Sequence, residues 1–248
     1  MRETRIYTQL PLQIGAEFEL DSASAHHLLQ VLRMKPGAAL TLFNGDGRDY
    51  YGFMIESGRR SIKVAISDRS GEEQPPTLSI NLGLGVSKGE RMDFAIQKSV
   101  ELGVTGITPL LTEHSVIRLS AQRRENRQEH WKRVATAACE QSGRRRLPSI
   151  VDILGLHEWL KITHQSDSTS LLLDHRAGTT LDRLGCAGAT VNLLIGPEGG
   201  LSPQERELAH AAGFKAVSFG PRVLRTETAP LAAIAALQML WGDFRGGD

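Results

Sequence analysis

The run Leu193-Leu194-Ile195-Gly196-Pro197-Glu198-Gly199-Gly200-Leu201-Ser202-Pro203-Gln204-Glu205 contains a strand, a loop and a helix start in immediate succession. Residues 191–195 are an apolar stretch of strand length ended by glycine. Ser202 then reads as a helix cap, with Pro203 at the first helical position and Glu205 three residues beyond the cap, which together spell a capping box. Gly213 ends that helix.

The same rhythm continues on both sides. Residues 78–84, 106–111, 170–174 and 216–219 read as further strands, each followed by a helical segment. Helices are expected at 90–102 and 121–141; in the first, Phe94, Ile96, Val100 and Leu102 supply apolar surface before Gly103. Strands alternating with helices imply an α/β domain on a mainly parallel sheet covered on both faces. The last helix, 229–241, is apolar nearly all round. A helix with no wet face is buried on every side, and a partner subunit is a natural cover for a terminal one.

Residues 1–72 have another texture. Short β-like runs at 5–9, 17–20, 39–43, 50–56 and 61–67 alternate with turns, among them Asn44-Gly45-Asp46-Gly47, as in a small barrel or sandwich. Asp21 precedes one amphipathic helix over 22–34, with His27, Leu28, Val31 and Leu32 on one side, closed by Lys35-Pro36-Gly37. Gly71-Glu72-Glu73-Gln74-Pro75-Pro76 is the candidate linker.

Composition narrows the function. The chain has 248 residues, 40% hydrophobic and 23% charged, with 29 basic against 28 acidic side chains, so it is neither a disordered tail nor a uniformly basic coat. No stretch reaches a membrane span and no secretory signal opens the chain, so a soluble protein that stays where it is made is expected. Cys139 and Cys186 have no partner at metal-ligand spacing, which fits a reducing compartment and two small buried residues. His26 and His27 are adjacent, while His114, His130, His157, His164 and His210 have no ligand partner at useful spacing, so no metal is expected.

In open parallel sheets ligands bind beyond the carboxyl ends of strands. The loops that qualify are Asp174-His175-Arg176, the glycine-rich run from Gly196 to Ser202, and the run from Gly220 to Thr228, which holds Arg222, Arg225 and Glu227. Neither a dinucleotide fingerprint nor a Walker A sequence is present. By itself the glycine-rich loop reads equally as a tight turn or a ligand cradle. Between Arg118 and Arg146 nine basic residues face three acids (Glu125, Glu129, Glu140), whereas residues 1–72 balance at nine of each. Such an excess is either a solvated helix face or a track for a nucleic-acid backbone.

Four runs in order, G-V-S-K-G-E-R-M-D-F-A-I-Q-K-S-V-E-L-G-V from Gly85, A-C-E-Q-S-G-R from Ala138, L-L-I-G-P-E-G-G-L-S from Leu193 and G-P-R-V-L-R-T-E-T-A from Gly220, resemble the RsmE family. Val31-Leu32-Arg33-Met34-Lys35-Pro36-Gly37 extends the likeness to the start of the chain. The family comprises bacterial SPOUT-class enzymes that methylate N3 of a uridine in 16S ribosomal RNA. The resemblance implies a PUA-like RNA-binding β-barrel over 1–72 and a SPOUT-type, trefoil-knotted parallel-sheet α/β methyltransferase domain over 73–248. It also implies S-adenosyl-L-methionine as cofactor, a homodimer formed through the knot domain and the C-terminal helix, and a cytoplasmic enzyme acting on the assembled 30S subunit without metal or membrane.

Carried over by motif, the cofactor would meet Leu172, Leu173, Gly196, Pro197, Glu198, Gly199, Gly200, Ser218, Phe219, Gly220, Leu224, Arg225, Thr226, Glu227, Thr228 and Ala229. Glu140, Arg144, Glu198, Arg225 and Glu227 would face the reacting centre. RNA contacts are expected at Arg33, Lys88, Arg91, Arg123, Arg124, Arg127, Arg145 and Arg146. An imide nitrogen attacks only after losing its proton, so Glu198 or Glu227 is the expected acceptor, with Arg225 or Arg144 steadying the charge that develops. The alternatives are a ribose 2′-oxygen as acceptor and a non-catalytic RNA-binding assembly factor.

Overall fold

The computed structural model describes residues 4–58, 61–115, 120–163, 167–185 and 188–245; Arg118, His164 and Cys186 lie outside them. The chain divides into two compact units, Met1–Pro75 with Cys139–Leu147, and Pro76–Ala138 with Pro148–Asp248.

In the first unit β1 (Arg5–Tyr7), β2 (Glu17–Leu20), β3 (Ala39–Phe43), β4 (Tyr50–Ser57) and β5 (Ile62–Arg69) form one sheet in the order β1-β3-β4-β5-β2. The β1–β3 pair is parallel and the rest are antiparallel. Ile62, Val64 and Ile66 alternate along β5 and are buried with Leu40, Leu42 and Met54. Period-two alternation gives the sheet one apolar face. Each such side chain is worth roughly 1.5–3 kcal/mol when fully buried.

The amphipathic helix expected over 22–34 takes a different form. Helix α1 (Ser22–His26) is capped by Asp21, whose Oδ1 accepts from the amides of Ala23 and Ser24 at 2.9 and 3.0 Å. At His27–Val31 it widens into a π-helical turn, with the Leu32 amide bonded to the His27 carbonyl at 3.0 Å. Five-residue spacing puts more residues into the turn, so Val31 and Leu32 rotate off the face that buries Leu28. Leu28 is fully buried, whereas His27, Val31 and Leu32 are exposed. Arg33 follows with φ 54°, a left-handed conformation that lets the Met34 amide return to the Leu28 carbonyl at 2.9 Å.

In the second unit β6 (Ser79–Gly85), β7 (Gly106–Leu111), β8 (Ser149–Ile150), β10 (Ser168–Leu173), β11 (Thr190–Ile195) and β12 (Lys215–Val217) form a sheet in the order β12-β10-β11-β6-β7-β8, with β9 (Leu154–Gly155) pairing beside β7. All these pairs are parallel. The chain lays down β6, β7 and β8 outward, returns to the other side for β10, and then fills the gap between β10 and β6 with β11. That reversal is a topological switch point, where the loops after neighbouring strands converge.

The helices are α2 (Glu90–Glu101), α3 (Ala121–Ser142), α4 (Leu156–Ile162), α5 (Pro203–Ala211) and α6 (Thr228–Trp241). Strand β10 is followed by only a single 3₁₀ turn, Leu181–Arg183, in place of the expected helical segment. The capping box of α5 forms as the spacing predicts: Ser202 Oγ accepts the Glu205 amide at 3.2 Å and Glu205 Oε2 accepts the Ser202 amide at 2.9 Å. Within the single chain, helix α6 is covered on only part of its surface. Ala229, Pro230, Ala233, Ile234, Leu237 and Gln238 are buried, while Leu231 and Ala235 are half-buried and Met239 is 55% exposed. Gln238, the polar residue on the buried face, donates to the Leu102 carbonyl and accepts the Asp243 amide, each at 3.3 Å.

Candidate active site

The loops after β10, β11 and β12 enclose a cavity of about 600 Å³, within the range of small-molecule sites. Leu172 and Leu173 come from the end of β10 and Asp174 from the loop after it, Ile195 from the end of β11 and residues 196–201 from the loop that follows, Phe219 with residues 222–227 from the third loop, and Ala229 from the start of α6. Arg91 on α2 and Arg206 on α5 complete the wall. Of the cofactor contacts expected from motif, Ser218, Gly220 and Thr228 do not line this cavity, whereas the others do. Ser218 instead directs Oγ to the Thr179 carbonyl at 3.4 Å.

Two buried hydroxyls fasten the loops together. Thr226 Oγ1 donates to the Gly196 carbonyl at 3.2 Å, and Ser87 Oγ lies 3.3 Å from Thr226 Oγ1. The third loop is thereby tied to the second and to the end of β6. Glycine at 85 is required by the same crossing, because a Cβ there would run into the backbone nitrogen of Pro197.

Glu198 carries the clearest electrostatic signature. Its Oε1 accepts from Arg91 Nη1 at 3.2 Å and from the Lys88 amide at 3.3 Å. Partial burial alone would raise its pKa, but hydrogen bonds from its own amide, the Lys88 amide and Arg91 outweigh burial and hold the carboxyl below the usual carboxylate range. Asp174 Oδ1 accepts the Arg176 amide at 3.0 Å, and Oδ2 lies 3.8 Å from Arg206 Nε. Arg206 Nη1 donates to the Leu201 carbonyl at 2.6 Å. The Arg225 carbonyl receives the Thr228 and Ala229 amides, both at 2.9 Å, which starts α6 directly behind Glu227.

Glu140 and Arg144 fall in the first unit. Glu140 Oε1 accepts the Tyr7 amide at 2.9 Å, and burial raises its carboxyl above the usual range against that bond. The Arg144 carbonyl accepts from Arg5 Nη2 at 3.1 Å. Arg145 and Arg146 are paired with Asp49 and Glu72 at 2.9 and 2.8 Å, and Arg5 reaches the other oxygen of Asp49 at 2.7 Å. Arg123 and Arg124 are exposed on α3, Arg127 is half-buried there, and Lys88 and Arg33 are exposed. Cys139 is buried, and burial pushes its thiol up to about 11, so it stays protonated and inert at neutral pH.

Asp174 lies in one of the loops singled out from sequence, as the first polar residue beyond a parallel strand, whereas Arg206 lies within a helix, where nothing local in the sequence marks it. Among the described residues, no group of three or more His, Cys, Asp or Glu could hold a metal ion, and no helix is long and apolar enough to cross a membrane.

The donor set fits S-adenosylmethionine. Leu172, Leu173, Leu201 and Leu224 offer apolar wall for an aromatic ring, the side-chain-free backbone of Gly196, Gly199 and Gly200 lets a ligand approach closely, and Glu198, Asp174 and Arg91 suit the charged groups of an amino-acid tail.

A model of the RNA methyltransferase domain matches residues 73–238, and one of the RNA methyltransferase PUA domain matches residues 20–67. The ribosomal RNA small subunit methyltransferase E of Buchnera aphidicola (Schizaphis graminum) is 36% identical over 242 residues, 98% of each chain. The enzyme of that name from Bacillus subtilis is 25% identical over 95% of this chain and 96% of its own. Two solved structures share the fold over 98% of this chain and the whole of theirs. One is the Neisseria gonorrhoeae ribosomal RNA small subunit methyltransferase E bound to S-adenosyl methionine, 37% identical with a TM-score of 0.91. The other is a Legionella pneumophila methyltransferase in complex with the same cofactor, 35% identical with a TM-score of 0.94. The second unit accordingly has the SPOUT-type α/β fold and the first the PUA-like one. By sequence and by fold, this chain belongs to the ribosomal RNA small subunit methyltransferase E family.

Proposed function

We propose that this chain transfers the methyl group of S-adenosylmethionine to N3 of a uridine in 16S ribosomal RNA, acting in the cytoplasm on the assembled small subunit. The observation that carries this reading is the cavity at the switch point of the parallel sheet, walled by the three loops whose sequences resemble the cofactor loops of the family. Relatives covering nearly the same length hold S-adenosyl methionine in their solved structures.

When bound, the cofactor supplies a methyl group already activated on a sulfonium. The chain's own residues must then bind the uridine, hold it in line and take its N3 proton. Glu198 is poorly suited to accept that proton, because Arg91 and the Lys88 amide stabilise its ionised form. Its standing negative charge suits a cationic ligand instead. The proton is assigned to Glu227, half-buried on the same wall. Arg225, exposed and two residues away in sequence, is assigned to steady charge on the uracil carbonyls.

The target base leaves its stack to reach such a cavity. Arg33, Lys88, Arg123, Arg124 and Arg127 are assigned to flanking phosphates. Glu140 and Arg144, held on the first unit, are assigned to the reacting centre through family motif alone. A second copy of the chain is proposed to cover α6, where Leu231, Ala235 and Met239 recur every four residues as an apolar strip left partly open.

The test is methylation of small subunits from cells lacking the modification, with labelled cofactor and mapping of the product. N3-methyluridine is the expected result. Label on a ribose 2′-oxygen, or none with active cofactor, overturns the reading.

A further inference from the structure

We propose that His114 is a positioning residue that fixes the glycine-rich loop in its cofactor-binding shape. The inference rests on the reading that the cavity holds S-adenosylmethionine, and goes beyond it by assigning a role to a side chain outside the cavity wall.

His114 lies on the turn after β7, and its Nδ1 is 3.0 Å from the Gly199 carbonyl and 3.2 Å from the Gly200 carbonyl. Both partners can only accept, so Nδ1 carries the proton and donates to the pair. In a trans peptide the N–H points opposite to the C=O. Drawing these two carbonyls toward His114 therefore turns the amides of Gly200 and Leu201 to the other side. The Gly200 amide duly closes the turn onto the Pro197 carbonyl at 2.8 Å. One imidazole thus sets the orientation of two successive peptide planes in the loop that supplies residues 196–201 to the cavity.

His114 is itself exposed, but the approach is tight and the turn that carries it is anchored. A Cβ on Gly199 would fall 2.8 Å from the Cβ of His114, so glycine at 199 admits the histidine. Next to it, the Glu113 amide donates to Glu205 Oε1 at 2.8 Å, while Glu205 Oε2 accepts the Ser202 amide in the capping box. Glu205 therefore clamps the β7 turn to the start of α5, and His114 reaches the loop between from a fixed base. Within the turn, Thr112 and Ser115 are joined by Thr112 N–H to Ser115 Oγ at 2.9 Å. A loop of glycine and proline has little side-chain packing of its own to choose one peptide orientation, so an outside donor is what selects it.

The test compares His114→Ala with His114→Asn in the full chain by calorimetric S-adenosylmethionine binding, steady-state kinetics and thermal melting. Asparagine carries an amide nitrogen where histidine has Nδ1. Alanine should weaken cofactor binding about tenfold, raising KM for the cofactor far more than it lowers kcat, and asparagine should recover most of the loss. Unchanged cofactor affinity in His114→Ala overturns the proposal, as does an equal loss in both variants that follows melting temperature. If the unaltered chain itself binds no cofactor, the underlying reading fails, and this inference falls with it.

Discussion

Arg91 Nη1 and Glu198 Oε1 lie 3.2 Å apart on the cavity wall, joining the first turn of α2 to the glycine-rich loop. The pair is partly open to solvent, with Arg91 at 54% and Glu198 at 24% side-chain exposure, so it adds little to global stability. Its consequence is local. Together with hydrogen bonds from its own amide and the Lys88 amide, it favours the ionised form of Glu198, which argues against a role as proton acceptor.

Substitution should separate the two carboxylates. Glu227→Gln is expected to slow single-turnover methylation at saturating cofactor by about a hundredfold or more, the range for loss of a general base. Glu198→Gln is expected to cost chiefly cofactor affinity. Rapid-quench kinetics with both variants decides; a larger rate loss in Glu198→Gln reverses the assignment.

Acid unfolding gives an independent check on Glu198. Its folded pKa is depressed below the ordinary 4.5, so its contribution to stability is fully present above that value and is lost as pH falls through the folded one. Melting curves between neutral and acid pH should converge for the parent and Glu198→Gln at the acid end. A gap that widens on acidification contradicts the hydrogen-bond pattern.

Glu140 runs the other way. Burial raises its pKa above 4.5, so the ionised form carries a penalty that appears as pH rises through the folded value. Glu140→Gln keeps an acceptor for the Tyr7 amide and should melt no lower than the parent at pH 7. Glu140→Leu strands that amide and should cost about 1–3 kcal/mol.

The hydroxyl pair at the loop crossing is open to a similar test. Thr226→Val keeps shape but removes the donor to the Gly196 carbonyl, and is expected to cost about 1–3 kcal/mol and to weaken cofactor binding. Denaturant melts and calorimetry measure the two effects. Intact binding with lowered stability would confine Thr226 to a packing role.

Charge reversal on α3 addresses RNA. Arg123→Glu with Arg124→Glu should weaken RNA binding and flatten its dependence on salt, by about one unit of slope for each phosphate no longer neutralised, with cofactor affinity unchanged. Arg145→Ala should act first on stability, because it removes one of the two guanidiniums on buried Asp49.

What the sequence made legible is what short-range chemistry determines. Ser202, Pro203 and Glu205 write a helix start in four residues, and the apolar run ending at Ile195 writes the strand before it, so local chemistry alone bounds the site's central loop. The π turn at His27–Val31 was hidden, since its residues suit an α-helix equally well and tertiary packing of Leu28 decides between them. The pairing of Arg145 with Asp49 and of Arg146 with Glu72 spans the chain with no periodic trace, so sequence alone does not show that these basic side chains also tie Cys139–Leu147 into the first unit. Strands β8 and β9, two residues each, are too short to show alternation.

The central claim is that the loops after β10, β11 and β12 form the cofactor site. The most direct measurement is a crystal structure of this chain grown with S-adenosylmethionine. The account predicts the cofactor between Leu172, the backbone of Gly196–Gly200 and Leu224, with Glu198 still on Arg91. Cofactor bound elsewhere, with these loops apart and bare, contradicts it.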